Sequence, residues 1–467
     1  MRLSHARPIG SVTFDDPNLV SAAGLVPLVP LVRLAESAGL GELAAGHLSV
    51  PGDKGANAGG TVMSLVAGMV AGADSIDDMA LLRHGGMGRV FDSAYAPSTL
   101  GSFLRGFTFG HVRQLDAVAV RVLGNLAAVS PLVAGIDDLA LVDLDDTVVE
   151  VHGYAKQGAG FGYSGMRGLN AATATVSTAT TAPVIVATRL RTGSAASARG
   201  AARLTADALA TVARLRGQDA SGMVLLRADS AYYGRPMVLA AVKAGAAVSV
   251  TVRQDARVKT AIAAIPAHAW TAIEYPNAVR DPETGKWISR AEVAEIPYTA
   301  FASKAPVEQV NGRLVVRRIP DLNPPADPAQ ATLFKVFRFH AFFTTSTLDT
   351  VTADKVHRGH AIIEQVFADL KSSALAHLPS GKFTANSAWL ILATIAFNLT
   401  RAAATLAGGP HAKATTATIR RRVINVPARV ASSARRLHLH LPTRWPWQDA
   451  WQTIYATACG PPATAAT

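Results

Sequence analysis

The chain has 467 residues, 49% of them apolar and 17% charged, which excludes a disordered protein and is too long for one ordinary core. Its formal charge is +12, and its single cysteine, Cys459, excludes intrachain disulfides and thiolate zinc clusters and fits a reducing compartment. The strongest apolar run, 388–397 with only Thr394 breaking it, is about half a membrane span, and no basic-then-apolar signal segment opens the chain. A cytoplasmic protein with no membrane partner is the expectation.

Residues 1–135 read as a mostly helical N-terminal region. A Leu/Ala-rich segment opens at Leu25 and a loop spans 52–60. Helical patterns run through 62–73, 76–82 and 112–126, with a short helix at 98–105 entered from Pro97. Several short helices with Gly-containing turns suit helix-turn-helix reading of DNA ends, and suit plain helical packing equally.

Residues 136–253 change character. A strand is predicted at 139–145, a second strand or hairpin at 148–153, a third at 182–189, then a long helix at 194–216. A fourth strand at 223–229, a helix at 235–244 and a fifth strand at 247–253 follow. Three strands, helix, strand, helix, strand is the order of a ribonuclease H-like core. Residues 254–350 interrupt it with Pro- and charge-rich loops at 281–285 and 320–328 between short β patterns, and read as an inserted β-rich domain. Residues 351–408 return to the core with an amphipathic helix at 352–377 and an apolar helix at 388–406. Residues 409–467 form a basic C-terminal region with a late strand at 436–441 and an Ala/Thr-rich end that reads as a disordered tail. The fold class is α/β.

The charge is unevenly spread. Between Lys371 and Gln448 there is no Asp or Glu, but there are eleven Lys and Arg, including Arg420, Arg421 and Arg422. Such a segment repels itself unless it meets a polyanion, so nucleic acid is the first partner to consider.

On the helix predicted at 352–377, a step of 100° per residue puts Ile362, Ile363, Val366 and Leu370 on one side, with Phe367 at the edge. His357, His360, Glu364 and Lys371 stack in a narrow stripe on the other. That stripe suits a metal ligand beside a bound anion, or a solvated helix face. Asp145 ends the first strand in D-L-D-D-T, with Asp143 on the same face and Asp146 on the other. Asp229 ends the fourth strand in R-A-D-S-A-Y-Y-G. In a core of this order the first and fourth strands are neighbours and the later helix crosses their ends, so Asp145, Asp229 and Glu364 converge. Like charges raise each other's pKa, so three such carboxylates need cations. Oxygen ligands with open positions suit Mg²⁺ or Mn²⁺, and two ions about 3.5–4 Å apart activate the attacking oxygen and stabilise the leaving oxygen of a phosphodiester. Asp143 and Asp146 stand as alternatives to Asp145; Asp354 and Asp369 compete with Glu364 from off its stripe.

Together D-L-D-D-T-V-V-E-V-H-G-Y-A-K-Q-G (143–158), R-A-D-S-A-Y-Y-G (227–234) and H-A-I-I-E-Q-V-F-A-D-L-K (360–371) resemble the three acidic motifs of a DDE transposase. The nearest resemblance is to the insertion-sequence family numbered thirteen-eighty, in the cut-and-paste group whose ribonuclease H-like domain carries a β insertion before the glutamate. It covers most of the chain, including H-L-P-S-G-K-F-T-A-N-S-A-W-L (377–390). The separations agree: 84 residues from Asp145 to Asp229 and 135 from there to Glu364, the second long enough for an insert.

The resemblance implies that Asp145, Asp229 and Glu364 are the catalytic, metal-binding triad, and D-D-T, an Asp-x-Thr pattern, favours Asp145 over Asp143. The group's helix signature is Tyr, two residues, Arg, three residues, Glu, six residues, Lys. Glu364 and Lys371 match it; His357 and His360, with Arg358 nearby, stand where Tyr and Arg would. DNA contacts are expected from Lys371, His357, Arg358 and His360, and from Arg420, Arg421 and Arg422 in the basic region. The resemblance further implies a homodimer that binds terminal inverted repeats and target double-stranded DNA on the nucleoid. Mg²⁺-dependent nicking would free 3′-hydroxyls that attack the target with no covalent enzyme–DNA intermediate. Tyr232 and Tyr233 come without the Arg-His-Arg set of a tyrosine recombinase and read as structural. Two rivals remain: a zinc metallohydrolase using His357, His360 and Glu364, and a non-catalytic DNA-binding protein using the basic C-terminus alone.

Overall fold

The computed structural model describes residues 9–16, 28–51, 57–83, 87–91, 94–153, 155–162, 165–280, 285, 287–320, 337–433 and 436–460. Residues 281–284 and 321–328 of the expected loops, part of that at 52–60, and the C-terminal tail from 461 lie outside the described residues.

The chain opens with strand β1 (Ile9–Asp16) and continues through helices α1 (Val29–Ser37), α2 (Leu40–His47), α3 (Ala58–Ala71), α4 (Met87–Val90), α5 (Pro97–Arg105) and α6 (Phe109–Val129). Pro97 occupies the first turn of α5, where a missing N–H is harmless, and Thr108 with His111 forms a capping box at the start of α6. The N-terminal region is therefore helical with one exception. β1 pairs in parallel with β13 (Arg436–Pro442), which pairs antiparallel with β12 (Arg429–Ser433), so the two chain ends share a three-stranded sheet.

The central sheet begins with β2 (Leu139–Glu150), β3 (Gly160–Phe161), β4 (Arg167–Ser177) and β5 (Val184–Thr192). Helix α7 (Ala201–Leu215), β6 (Met223–Ala228), α8 (Arg235–Lys243) and β7 (Ala247–Thr251) follow. The stretch predicted as two strands, 139–145 and 148–153, is one: β2 pairs with β4 without interruption from Leu141 to Glu150. The missing strand is β4, whose positions are buried from Gly168 to Ser177. Because successive side chains alternate faces, burial throughout means that both faces of β4 are covered. The spatial order is β5-β4-β2-β6-β7, with β2, β6 and β7 mutually parallel.

After α9 (Ala256–Ala263) come the antiparallel strands β8 (Thr271–Arg280), β9 (Trp287–Ala300), β10 (Val310–Pro320) and β11 (Phe337–Thr344). The insert is not a detached module: β11 pairs with β7, so these strands extend the central sheet, and Leu314, Val316 and Phe343 join the main core.

The helix expected at 352–377 is two helices, α10 (Thr350–Arg358) and α11 (Ile362–Lys371), separated by a 3₁₀ turn at Gly359–Ala361. α12 (Phe383–Ala407) is long and apolar enough to cross a membrane, yet 83% of its most apolar window is buried inside the protein. It packs against α3, α6 and β5. The Asn398 side chain accepts from the Ile185 N–H at 2.9 Å and donates to the Ile185 carbonyl at 2.8 Å, satisfying an outer edge position of β5. The short α13 (Thr416–Ile419), a π-helical turn at Arg420–Ile424, and α14 (Gln448–Cys459) complete the chain.

Candidate active site

Two of the three predicted carboxylates lie where the parallel β2/β6 ladder ends: Asp229 just past β6, as predicted, and Asp145 inside β2, which runs on to Glu150, rather than at a strand end. The last paired residues of the parallel β2/β6 ladder are Leu144 and Ala228, so Asp145 and Asp229 occupy the next position on each neighbouring strand. Asp229 leaves the sheet and caps the following turn, its Oδ1 accepting from the Ala231 N–H at 2.9 Å, while its side chain stays exposed. Asp145 is partly buried, and its Oδ1 accepts from the Asp146 N–H at 2.7 Å. Burial pushes its carboxyl up to about 6; the neighbouring Asp229 and Asp146 charges add to the rise, and the Asp146 N–H and nearby His360 oppose it.

One strand repeat deeper, a second set of side chains ties this end of the ladder to the helical segment that carries the glutamate. Asp143 and Arg227 are cross-strand partners, both buried. Arg227 grips Asp143 through Nε at 2.7 Å and Nη2 at 2.6 Å, the bidentate geometry a guanidinium and a carboxylate favour. Its remaining nitrogen, Nη1, donates to the Val356 carbonyl at the end of α10. His360 Nδ1 lies 2.9 Å from Asp143 Oδ1; a carboxylate only accepts, so this nitrogen carries the hydrogen. Gly359 makes the approach possible, because a Cβ there would stand 2.9 Å from Arg227 Nη1. Sequence reading weighed Asp143 as a ligand and His360 as a phosphate contact, and passed over Arg227. The signal was period two: Asp143 and Arg227 precede Asp145 and Asp229 by two positions and share their face.

Glu364 is exposed in the first turn of α11, which packs on β2. Lys371, in the last turn, is half-buried, and that burial pushes its ammonium below the ordinary value. His357 is not on the Glu364 stripe. Its ring stacks on Phe342 with centroids 4.0 Å apart, and its nitrogens meet Ser249 Oγ at 2.8 Å and Thr251 Oγ1 at 3.0 Å. Arg358 is held by Asp354 at 2.8 Å and lies over the Tyr275 ring. These contacts turn His357 and Arg358 toward the β insert rather than toward a bound strand. In this arrangement His357 faces the sheet and His360 faces Asp143, and the two do not converge with Glu364 as a zinc set would.

The alternative acids are occupied. Asp146 pairs with Arg191 and accepts from the Tyr232 hydroxyl at 2.8 Å. Asp354 is buried between Arg358 and Arg317. Asp369 accepts from Thr416 N and Oγ1 at 2.8 and 2.6 Å. Tyr232 is buried, and Tyr233 stacks on Phe301, as structural tyrosines would be.

The three consecutive arginines do not act as one patch. Arg420 is largely buried, with Nε 3.3 Å from the Val70 carbonyl; Arg422 lies over the Trp447 ring; Arg421 is exposed. Arg436 and Arg444 are exposed in the same region.

Asp145 and Asp229 place carboxylates on neighbouring chain segments just past the β2/β6 ladder, that of Asp229 exposed, and carboxylate oxygens are the donors a hard divalent cation takes. Among the described residues no group of three His, Cys, Asp or Glu side chains converges closely enough to hold a metal ion, so Glu364 stands outside the aspartate pair. The chain belongs to the transposase DDE domain group 1 family, whose pattern it matches over residues 5–458. No curated protein matches it. A DDE-type transposase acts on DNA, and the mixed α/β architecture with its large central sheet is consistent with that family.

Proposed function

We propose that this transposase binds the terminal inverted repeats of an insertion sequence, of the family numbered thirteen-eighty, and cuts and joins DNA by metal-dependent phosphoryl transfer. The observation that carries the reading is the placement of Asp145 and Asp229 one position past the last pair of the parallel β2/β6 ladder. The strand order β5-β4-β2-β6-β7, with α11 packed on β2, supports a ribonuclease H-like core. Asp145 and Asp229 would hold Mg²⁺ or Mn²⁺, and Glu364 would join them as the ions bind. The ions would polarise the scissile phosphate and activate the attacking oxygen. The chain's own part is to fix the two aspartates on rigid strands and to present cations to the DNA backbone. Lys371, Arg421, Arg436 and Arg444 are the exposed or half-exposed cations suited to phosphates. Two copies of the chain would hold the two element ends.

The test uses an end-containing duplex and Mg²⁺. Asp145→Ala, Asp229→Ala and Glu364→Ala should each lower cleavage and strand transfer by at least about a thousandfold while end binding persists. Wild-type cleavage in any one variant removes that residue from the triad. End binding by the wild type with no cleavage under any divalent metal would mark a non-catalytic DNA-binding protein.

A further inference from the structure

Each proposed triad residue has a companion at a fixed spacing before it, and the companions bond to one another. Asp143 precedes Asp145 by two positions, Arg227 precedes Asp229 by two, and His360 precedes Glu364 by four, one helical turn. Asp143 receives Arg227 through two bonds and His360 through a third. Arg227 reaches on to the Val356 carbonyl, and Gly359 keeps the path open. A layer of charged side chains thus underlies the candidate site and spans the elements that carry the three acids.

We propose that Asp143, Arg227 and His360 are positioning residues: they set the start of α11, and with it Glu364, against the end of the β2/β6 ladder where Asp145 and Asp229 lie. This rests on the transposase reading above. His360 occupies the place where the resembling group carries an arginine, and here it faces the protein interior rather than a phosphate. Its side chain is 15% exposed, whereas those of Asp143 and Arg227 are 0% and 3% exposed. Removing His360 leaves Asp143 paired with Arg227, so the fold should survive the loss of the imidazole. The arrangement predicts that His360 acts on metal affinity even with no DNA present, because what it holds is the geometry of the ligand set.

The experiment compares wild type, His360→Ala, His360→Asn and Asp145→Ala, each confirmed folded by its thermal transition. Mn²⁺ binding to the DNA-free protein is read by electron paramagnetic resonance, and end binding and cleavage by gel assays. His360→Ala should weaken Mn²⁺ binding and slow cleavage at saturating DNA by about 10–100-fold, the usual cost of losing an outer-shell partner, with end binding unchanged. Asparagine places an N–H donor near the position of Nδ1, so His360→Asn should recover most of both losses. Wild-type Mn²⁺ affinity and cleavage in His360→Ala would overturn the proposal. Equal weakening of end binding in both variants with Mn²⁺ affinity intact would overturn it too, and would make His360 a phosphate contact. Wild-type protein that binds no Mn²⁺ and cuts no DNA, with Asp145→Ala indistinguishable from it, would refute the transposase reading itself.

Discussion

Asp145 and Asp229 each lie one position beyond the Leu144–Ala228 pair, where the parallel β2/β6 ladder stops. The burial of Asp145, with the Asp229 charge adding to it, is a cost to the cation-free protein. The folded-state value of Asp145, about 6, lies above the ordinary 3.8. The folded chain therefore binds more protons than the unfolded one between those values. The stabilisation by proton uptake is fully present below 3.8 and is lost as pH rises through about 6. Asp145→Asn removes the charge and should raise the unfolding free energy in chelator at pH 8 by about 1–3 kcal/mol. The gain should fade by pH 4. Denaturant unfolding at both pH values checks this; no gain at pH 8 would mean that the pair carries no electrostatic strain.

His357 gives a pH dependence of opposite sign. Burial, with the nearby His360, Arg227 and Arg317 charges, pushes its imidazole down to about 3 from the ordinary 6.5. The unfolded chain then binds the extra proton, so the contribution is fully present above 6.5 and is lost as pH falls toward 3. Between pH 7 and pH 5 the loss from this residue should be about 2 kcal/mol. In His357→Gln, whose amide is neutral throughout, that component of the slope should vanish. An unchanged slope on denaturant unfolding at the two pH values would place the His357 ring in water.

The basic C-terminal region separates packing arginines from binding ones. Arg420→Ala removes a largely buried guanidinium that reaches the Val70 carbonyl, and should cost about 1–3 kcal/mol of stability with little change in the salt dependence of DNA binding. Arg421→Ala with Arg436→Ala should leave the melting temperature unchanged and lower the slope of log K against log salt by up to about 2. Swapped outcomes would assign Arg420 to the DNA.

Much of this was legible in the sequence because the signals were local. Strong apolar runs flanked by turn residues located β5, β6 and β7, and R-A-D-S placed Asp229 at a strand end; D-L-D-D-T did not end its strand, since β2 runs through Asp145 to Glu150. β4 was missed because its run of small Ala and Thr residues, buried on both faces, shows no alternation of apolar and polar. β1 was missed because its partner lies far along the chain: Ser11 and His438 are 427 positions apart. Period 3.6 continued through Gly359, yet the helix gives way there to a 3₁₀ turn, beside the Arg227 Nη1 that donates to the Val356 carbonyl. A run of three arginines reads as one patch, but successive helical positions point in different directions, and one of the three is packed inside. The buried Asp143–Arg227 pair was invisible for a related reason: a charge on a strand reads as exposed until its partner on the next strand is known.

The most direct test of the central claim is iron-directed hydroxyl-radical cleavage of the polypeptide. Fe²⁺ suits the same oxygen donors as Mg²⁺, and with ascorbate and peroxide it cuts the backbone beside its own binding site. Mass spectrometry of the fragments from DNA-bound protein should show cuts clustered around Asp145, Asp229 and Glu364, suppressed by excess Mg²⁺ and absent in Asp145→Ala. Protection of these three segments, with cuts elsewhere or none at all, would contradict the account.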